Sequence, residues 1–232
     1  MCGRFTLAIS AKALSSYVMD KYQIYDMNMD DFKPQFNVAP SSQIISIIHD
    51  TKKYRIGTLK WGFVPSFAKD EKSFQMINAK AETLFEKSSF KQAALKQRCV
   101  VLADSFYEWD KQDKHLPPRR ILTTDQKVFA MAGIWNTFEK SNGEKVHTVA
   151  IVTTKANQMM QTIHDRMPVI LTKKAEEIWL NPHVTDEMQL KNILVPYDQD
   201  KMKMYKVSKK INKPSFDQEE ALIELKEEHT LF

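Results

Sequence analysis

Cys2 stands directly behind the initiator methionine. Methionine is normally trimmed before a residue this small, and trimming is expected here. It would leave an α-amine and a thiol on adjacent carbons, a 1,2-aminothiol that no internal cysteine can provide. The amine titrates near ~8 and the thiol near ~8.5 in unperturbed settings. The amine condenses with an aldehyde to an imine, and the thiol closes onto it as a five-membered thiazolidine. A cysteine beside a start codon is by itself an accident of sequence. It becomes a site only if the fold brings proton carriers and hydrogen-bond donors to it.

Four polar segments contain such groups: residues 36–40 with Asn37 and Pro40, 78–83 with Asn78 and Lys80, 105–109 with Glu108, and 164–168 with His164 and Arg166. Each also has a purely local use. Asn37 ahead of Ala39-Pro40 suits a turn. Asn78 suits the cap of a helix running through Glu86, with Glu82 as a first-turn acid. In strand alternation Glu108 points away from Tyr107 and Trp109, and so toward water. His164-Asp165-Arg166 suits a surface loop.

Composition narrows the class. The 232 residues are 43% hydrophobic and 27% charged, ordinary for a globular protein that buries its own core. A formal charge of +5 permits a polyanionic partner without requiring one. Two cysteines, Cys2 and Cys99, exclude a disulfide framework and a zinc motif. The five glycines are scattered, so no phosphate-cradling loop can form, and neither a nucleotide nor another cofactor is expected. No apolar run reaches the length of a membrane span, and a cytoplasmic protein is expected, nucleoid-associated if bacterial.

The elements that must position these groups read as mixed. Residues 10–22 form a helix capped by Ser10. The isoleucine run at 43–49 reads as a buried strand with a partner at 54–61. Residues 81–96 are helical in pattern and 98–107 form a strand. Strands at 127–135 and 145–153 make a hairpin around Asn142-Gly143. A short strand at 167–171 follows a cis or kinked Met167-Pro168, and 172–180 is a Thr-capped helix. Residues 217–228 form a final helix or tail. Strands and helices do not alternate regularly, which argues against a doubly wound parallel sheet. The expectation is one α+β domain over 1–232, with a mainly antiparallel, curved or barrel-like sheet flanked by helices and the last ~15 residues peripheral.

Taken together these segments resemble the SOS response-associated peptidase (SRAP) family, whose members act on abasic sites in single-stranded DNA. The resemblance runs through Cys2-Gly3-Arg4-Phe5, Asn37-Val38-Ala39-Pro40, Trp61-Gly62-Phe63-Val64-Pro65, Asn78 to Thr83 and Arg98-Cys99. It continues through Phe106-Tyr107-Glu108-Trp109, Ala132-Gly133-Ile134-Trp135, His164 to Leu171, Val207-Ser208 and Ile211-Asn212. It implies a covalent crosslink to the abasic sugar through the N-terminal cysteine. Cys2 is then the nucleophile, with Asn78, Glu108 and His164 as its catalytic partners. His164 donates a proton to the sugar ring oxygen, Glu108 relays protons on the amine, and Asn78 holds the attack geometry.

The same resemblance implies a monomer bound to single-stranded DNA. Arg4, Lys80 and Arg166 lie beside the catalytic residues in sequence and suit phosphates. Lys80 stands where the family often carries arginine, which keeps the charge and loses the bidentate fork. Asn37, Pro40, Trp61 and Phe67 complete the expected DNA contacts, the last three as apolar surface for bases, with core packing an equal alternative for Trp61. Two alternatives differ in class. One is a cysteine-type peptidase or self-processing enzyme using Cys2. The other is a single-stranded nucleic-acid-binding module in which Cys2 is incidental.

Overall fold

The chain enters the fold through β1 (Phe5–Leu7), whose three side chains are all buried. Helix α1 (Ala11–Tyr22) follows, its first turn closed by the Ser10 side chain accepting from the Ala13 N–H. Next come β2 (Gln35–Val38), β3 (Gln43–His49), β4 (Tyr54–Trp61) and β5 (Asn78–Lys80), then α2 (Ser88–Lys96), β6 (Arg98–Ala103) and β7 (Ser105–Glu108). The rest are β8 (Arg119–Thr123), β9 (Phe129–Glu139), β10 (Lys145–Lys155), α3 (Gln158–Gln161), β11 (Arg166–Pro168), α4 (Lys173–Leu180), α5 (Glu187–Asn192) and β12 (Met202–Lys206). This is a computed structural model, and it describes residues 2–27, 30–71, 74–113 and 115–226.

Five strands close a ring. β3 pairs antiparallel with β4 and with β6, β6 with β9, and β9 with β10. The parallel pairing of β10 with β4 completes it. Strands β6, β9 and β10 are buried on both faces over most of their length and read as nearly continuous hydrophobic runs, whereas β4 keeps an exposed face. Alternate residues feed two clusters. Val100, Ala132 and Val152 join Leu14, Phe90 and Trp179 from the helices. Cys99, Val101, Met131 and Ile151 join Cys2, Phe5, Trp61 and Phe106. The ring is tight at Gly133, where a Cβ would lie 2.8 Å from the Cys99 sulfur. A second, wholly antiparallel sheet runs β12-β8-β7-β1-β2. The expected α+β architecture with a mainly antiparallel, barrel-like sheet is the one observed.

The helix at 10–22, the strands at 43–49 and 54–61, and the Thr-capped helix after residue 172 are present as expected. So is the hairpin. Gly143 takes φ +82°, and its N–H returns to the Lys140 carbonyl, which only glycine does without strain.

The helix over 81–96 is broken instead. A single turn at Ala81–Thr83 gives way to α2 only at Ser88, and between them Leu84 and Phe85 both sink into the core. The strand over 98–107 is two strands, because Asp104 turns the chain from the ring to the second sheet. Its N–H donates to the Thr6 carbonyl, and its carboxylate accepts from Thr6 Oγ1 and the Ala8 N–H. The strand at 167–171 ends at Pro168, and the described residues contain no cis peptide bond. The final segment folds back as one short turn at Glu219–Leu222 and a bridge from Glu224 to Val207; residues 227 and 228 lie outside the described residues. No helix among the described residues is long and apolar enough to cross a membrane.

Candidate active site

The last residues of β10 organise the site. On one side β5 pairs with them in parallel, placing Asn78 opposite Ile151 and Lys80 opposite Thr153. On the other side β11 pairs antiparallel, placing Arg166 opposite Lys155, with His164 two residues earlier. Two segments more than eighty residues apart in sequence are thus held by one strand. Cys2 arrives from the second sheet. β1 and β7 pair with Phe5 opposite Phe106, and the ladder continues as the Tyr107 N–H donates to the Arg4 carbonyl. That register carries the residues before Arg4 alongside Glu108.

Three observations tie the groups together. Asn78 Nδ2 donates to the Cys2 carbonyl at 2.9 Å. The Cys2 side chain, fully buried, packs in the same apolar cluster as Ile77, Met160 and Ile163, the neighbours of Asn78 and His164. Glu108 is close enough for its charge to act on the Cys2 thiol. Residues 2, 78 and 108 therefore meet, and the turn leading to His164 packs into the same apolar cluster.

Burial sets the chemistry of each group. It pushes the Cys2 thiol up to about 12, with the Glu108 charge adding to the effect, so the thiol is protonated at neutral pH. Burial raises Glu108 to about 7, against the weak pull of the Trp109 N–H on Oε1 at 3.4 Å. It is then half-charged near neutrality, as a proton relay requires. Burial also lowers His164 below its ordinary value, with Asp165 opposing. The Arg166 N–H donates to His164 Nδ1 at 3.0 Å, so the neutral ring carries its proton on Nε2. Asp165 Oδ1 lies 3.0 Å from the same Nδ1, ready to accept if the ring becomes charged. Asn78 Oδ1 is buried and without a partner among the described residues, a free acceptor beside the Cys2 backbone. Among the described residues no cluster of three His, Cys, Asp or Glu side chains is arranged for a metal.

The Glu108 environment has a stability consequence. A carboxyl raised in the folded state contributes fully below its unfolded value and loses that contribution as pH rises through the folded one. A rise from 4.5 to about 7 corresponds to roughly 3 kcal/mol. Glu108→Gln, neutral throughout, is expected to match the wild type near pH 4. Above pH 8 it should unfold on the order of 5–10 °C higher. Melting curves at the two pH values check this, and equal midpoints at pH 8 would mean that Glu108 titrates as an ordinary acid.

The local readings fail for Glu108 by burial and for Asn78 by strand pairing. Glu108 does not face water: it is 4% exposed. Asn78 starts a strand and caps no helix.

The expected DNA contacts divide. Lys80 and Pro40 are exposed, and Phe67 is exposed beside Phe74, rings 5.8 Å apart. Trp61 is not available to a base. It is fully buried against Phe5, with its Nε1–H on the Ile77 carbonyl. Asn37 is not at the surface either. Its amide donates to the carbonyls of Ile211, Lys213 and Phe216 and accepts from Arg4, clasping the C-terminal segment. Arg4 is largely buried, with Nη1 shared between Asn37 and the Ile211 carbonyl. Arg166 presents no free fork to a phosphate, since Glu82 holds its guanidinium from two oxygens. The reading by sequence missed Glu82 and Asp217 as partners. Asp217 accepts the Phe36 and Asn37 N–H groups across some 180 residues of chain, and no local pattern signals that.

The sequence pattern described as SOS response associated peptidase (SRAP) matches residues 1–214. The chain belongs to the SRAP family. Relatives within it include the abasic site processing protein YoqW of Bacillus subtilis, 44% identical over 92% of this chain and 95% of that one. YoaM of the same organism, also named an abasic site processing protein, is 42% identical over 96% of this chain and 97% of its own. The abasic site processing protein HMCES of Xenopus tropicalis is 30% identical over 67% of this chain and 56% of its own. The SRAP fold is seen again in a crystal structure of a protein from Bacteroides thetaiotaomicron, with a TM-score of 0.85 and 25% identity over 97% of this chain and all of that one.

Proposed function

We propose that this SRAP protein processes abasic sites in DNA by capturing the sugar aldehyde on Cys2 as a thiazolidine. The observation that carries the reading is the buried Cys2 with Asn78 bonded to its carbonyl and Glu108 close enough to act on its thiol, and the turn before His164 packed into the same cluster supports it. The names of its relatives support the substrate. The charge states favour one order of events. A thiol raised to about 12 is a weak first nucleophile, so the α-amine freed by removal of Met1 attacks first.

In its charged form, with Asp165 against Nδ1, His164 gives its Nε2 proton to the ring oxygen while the anomeric hydroxyl releases its proton to water, and the closed sugar opens to its aldehyde with His164 left neutral. The amine adds to C1′, Glu108 takes the surplus amine proton, and it returns a proton to the departing hydroxyl, releasing water. The imine then accepts the Cys2 sulfur at carbon while the thiol proton passes to nitrogen, closing the ring. Asn78 fixes the Cys2 backbone through both steps. The buried thiol is held for the second step and shielded from competing chemistry.

Amine, thiol and C1′ must meet within bonding distance, and a stacked duplex hides C1′ at a cost of a few kcal/mol. An oligonucleotide with one abasic site is expected to give a product that survives protein denaturant and concentrated salt, faster as a single strand than as a duplex. Denaturing electrophoresis over time reads both. Equal rates on the two forms would oppose this site geometry.

A further inference from the structure

Three cations meet at the end of β10. Lys80 pairs opposite Thr153, Arg166 pairs opposite Lys155, and the Thr153 carbonyl accepts from Arg166 Nη2 at 2.6 Å. Lys80 and Lys155 are exposed, and Arg166 is 8% exposed. Glu82 answers Arg166. Its Oε1 receives Nη1 at 2.6 Å and its Oε2 receives Nη2 at 2.9 Å, the two-pronged geometry a guanidinium gives equally to carboxylate and phosphate. The Glu82 charge also feels Lys155. The pair is asymmetric: the arginine side chain is 10% exposed and the glutamate 39%. Arg166 Nε is buried and has no partner among the described residues, so Glu82 does not exhaust the guanidinium. The arginine is fixed by the strand, while the glutamate, on a single helical turn, has room to leave.

We propose that Glu82 is an internal stand-in for a backbone phosphate, occupying an anion site of Arg166, Lys155 and Lys80 that single-stranded DNA takes over by displacing it. The inference rests on the reading of this protein as DNA-processing and adds a regulatory cost to it. Every strand that binds must first break the Glu82 pair, so Glu82 weakens binding to ordinary DNA. The site adjoins the reaction centre, because the Arg166 N–H holds His164 Nδ1.

The test is binding of an unmodified single-stranded oligonucleotide, which offers no aldehyde, measured by fluorescence anisotropy across a salt series. Glu82→Gln is expected to bind roughly tenfold more tightly at low salt, because no carboxylate has to be displaced before the phosphate contact forms. Glu86→Gln, which removes the same charge from an exposed neighbour, should change the affinity far less. Adding Arg166→Met to Glu82→Gln should abolish the gain. Glu82→Asp keeps the charge and shortens the fork, and its binding should lie between wild type and Glu82→Gln; it carries the test if Glu82→Gln does not fold. Unchanged affinity in these variants, or a gain that persists without Arg166, would overturn the proposal. Crosslinking of wild-type protein to an abasic strand, run alongside, tests the DNA reading separately.

Discussion

Cys2→Ala is expected to lose the denaturant-resistant product entirely. Alanine at the terminus keeps the α-amine, so an imine still forms, but no sulfur is present to close the ring and water reverses the adduct. Addition of borohydride should recover a product by reducing that imine, and without reductant the yield should fall to background. The fold should tolerate the change. Cys2 is buried in an apolar cluster, and removing one sulfur from such a place costs no more than a few kcal/mol. Denaturing electrophoresis with and without reductant separates the two steps. A stable product from Cys2→Ala without reductant would place the covalent bond elsewhere.

Glu108→Gln and His164→Ala are expected to slow product formation by roughly 10²–10⁴-fold each, the range for a true general base or acid. The product itself should not change, because neither group remains bonded in it. The two variants differ in pH dependence. With Glu108 raised to about 7, the wild-type rate should fall as pH drops through that value and the carboxyl takes up a proton. Glu108→Gln should lack that limb and keep only the rise from the amine. His164→Ala should keep it. Rapid quenching across pH 5–9 measures these profiles. A Glu108→Gln profile that still inflects near 7 would assign the titration to another group.

Ring strand β6 was legible because both its faces are buried, which gives the apolar run Cys99 to Ala103, and β3 by the four isoleucines around Ser46. The Ser10 and Thr172 caps and the Asn142-Gly143 turn were legible because the signal is local. The broken helix after Thr83 was not, since its pattern of Leu84 and Phe85 satisfies a helix and a buried turn equally. Asp104 was unreadable as a corner because its partners Thr6 and Ala8 lie nearly a hundred residues away.

The site residues divide along the same line. The family resemblance gathered Cys2, Asn78, Glu108 and His164; β10 carries the strands next to Asn78 and His164, and the β1–β7 pairing carries Cys2 alongside Glu108. Charge alone misled at Arg4, and residue type misled at Asn37. In each case a long-range partner had already claimed the group: Asn37 and the Ile211 carbonyl for Arg4, and the C-terminal carbonyls for Asn37, while Trp61 took the core place open to it, with its Nε1–H on the Ile77 carbonyl.

The central claim is that the α-amine of Cys2 does the first chemistry and its thiol the second. The most direct measurement is the intact mass of protein incubated with an abasic single strand, for the natural chain and for one carrying an extra residue that is not removed before Cys2. In the extended chain that amine is an amide and cannot condense. The account predicts a natural chain lacking Met1 that shifts in mass by one oligonucleotide less one water, and an extended chain that does not shift. A full adduct on the extended chain would show the thiol or another group acting alone and would contradict the thiazolidine mechanism.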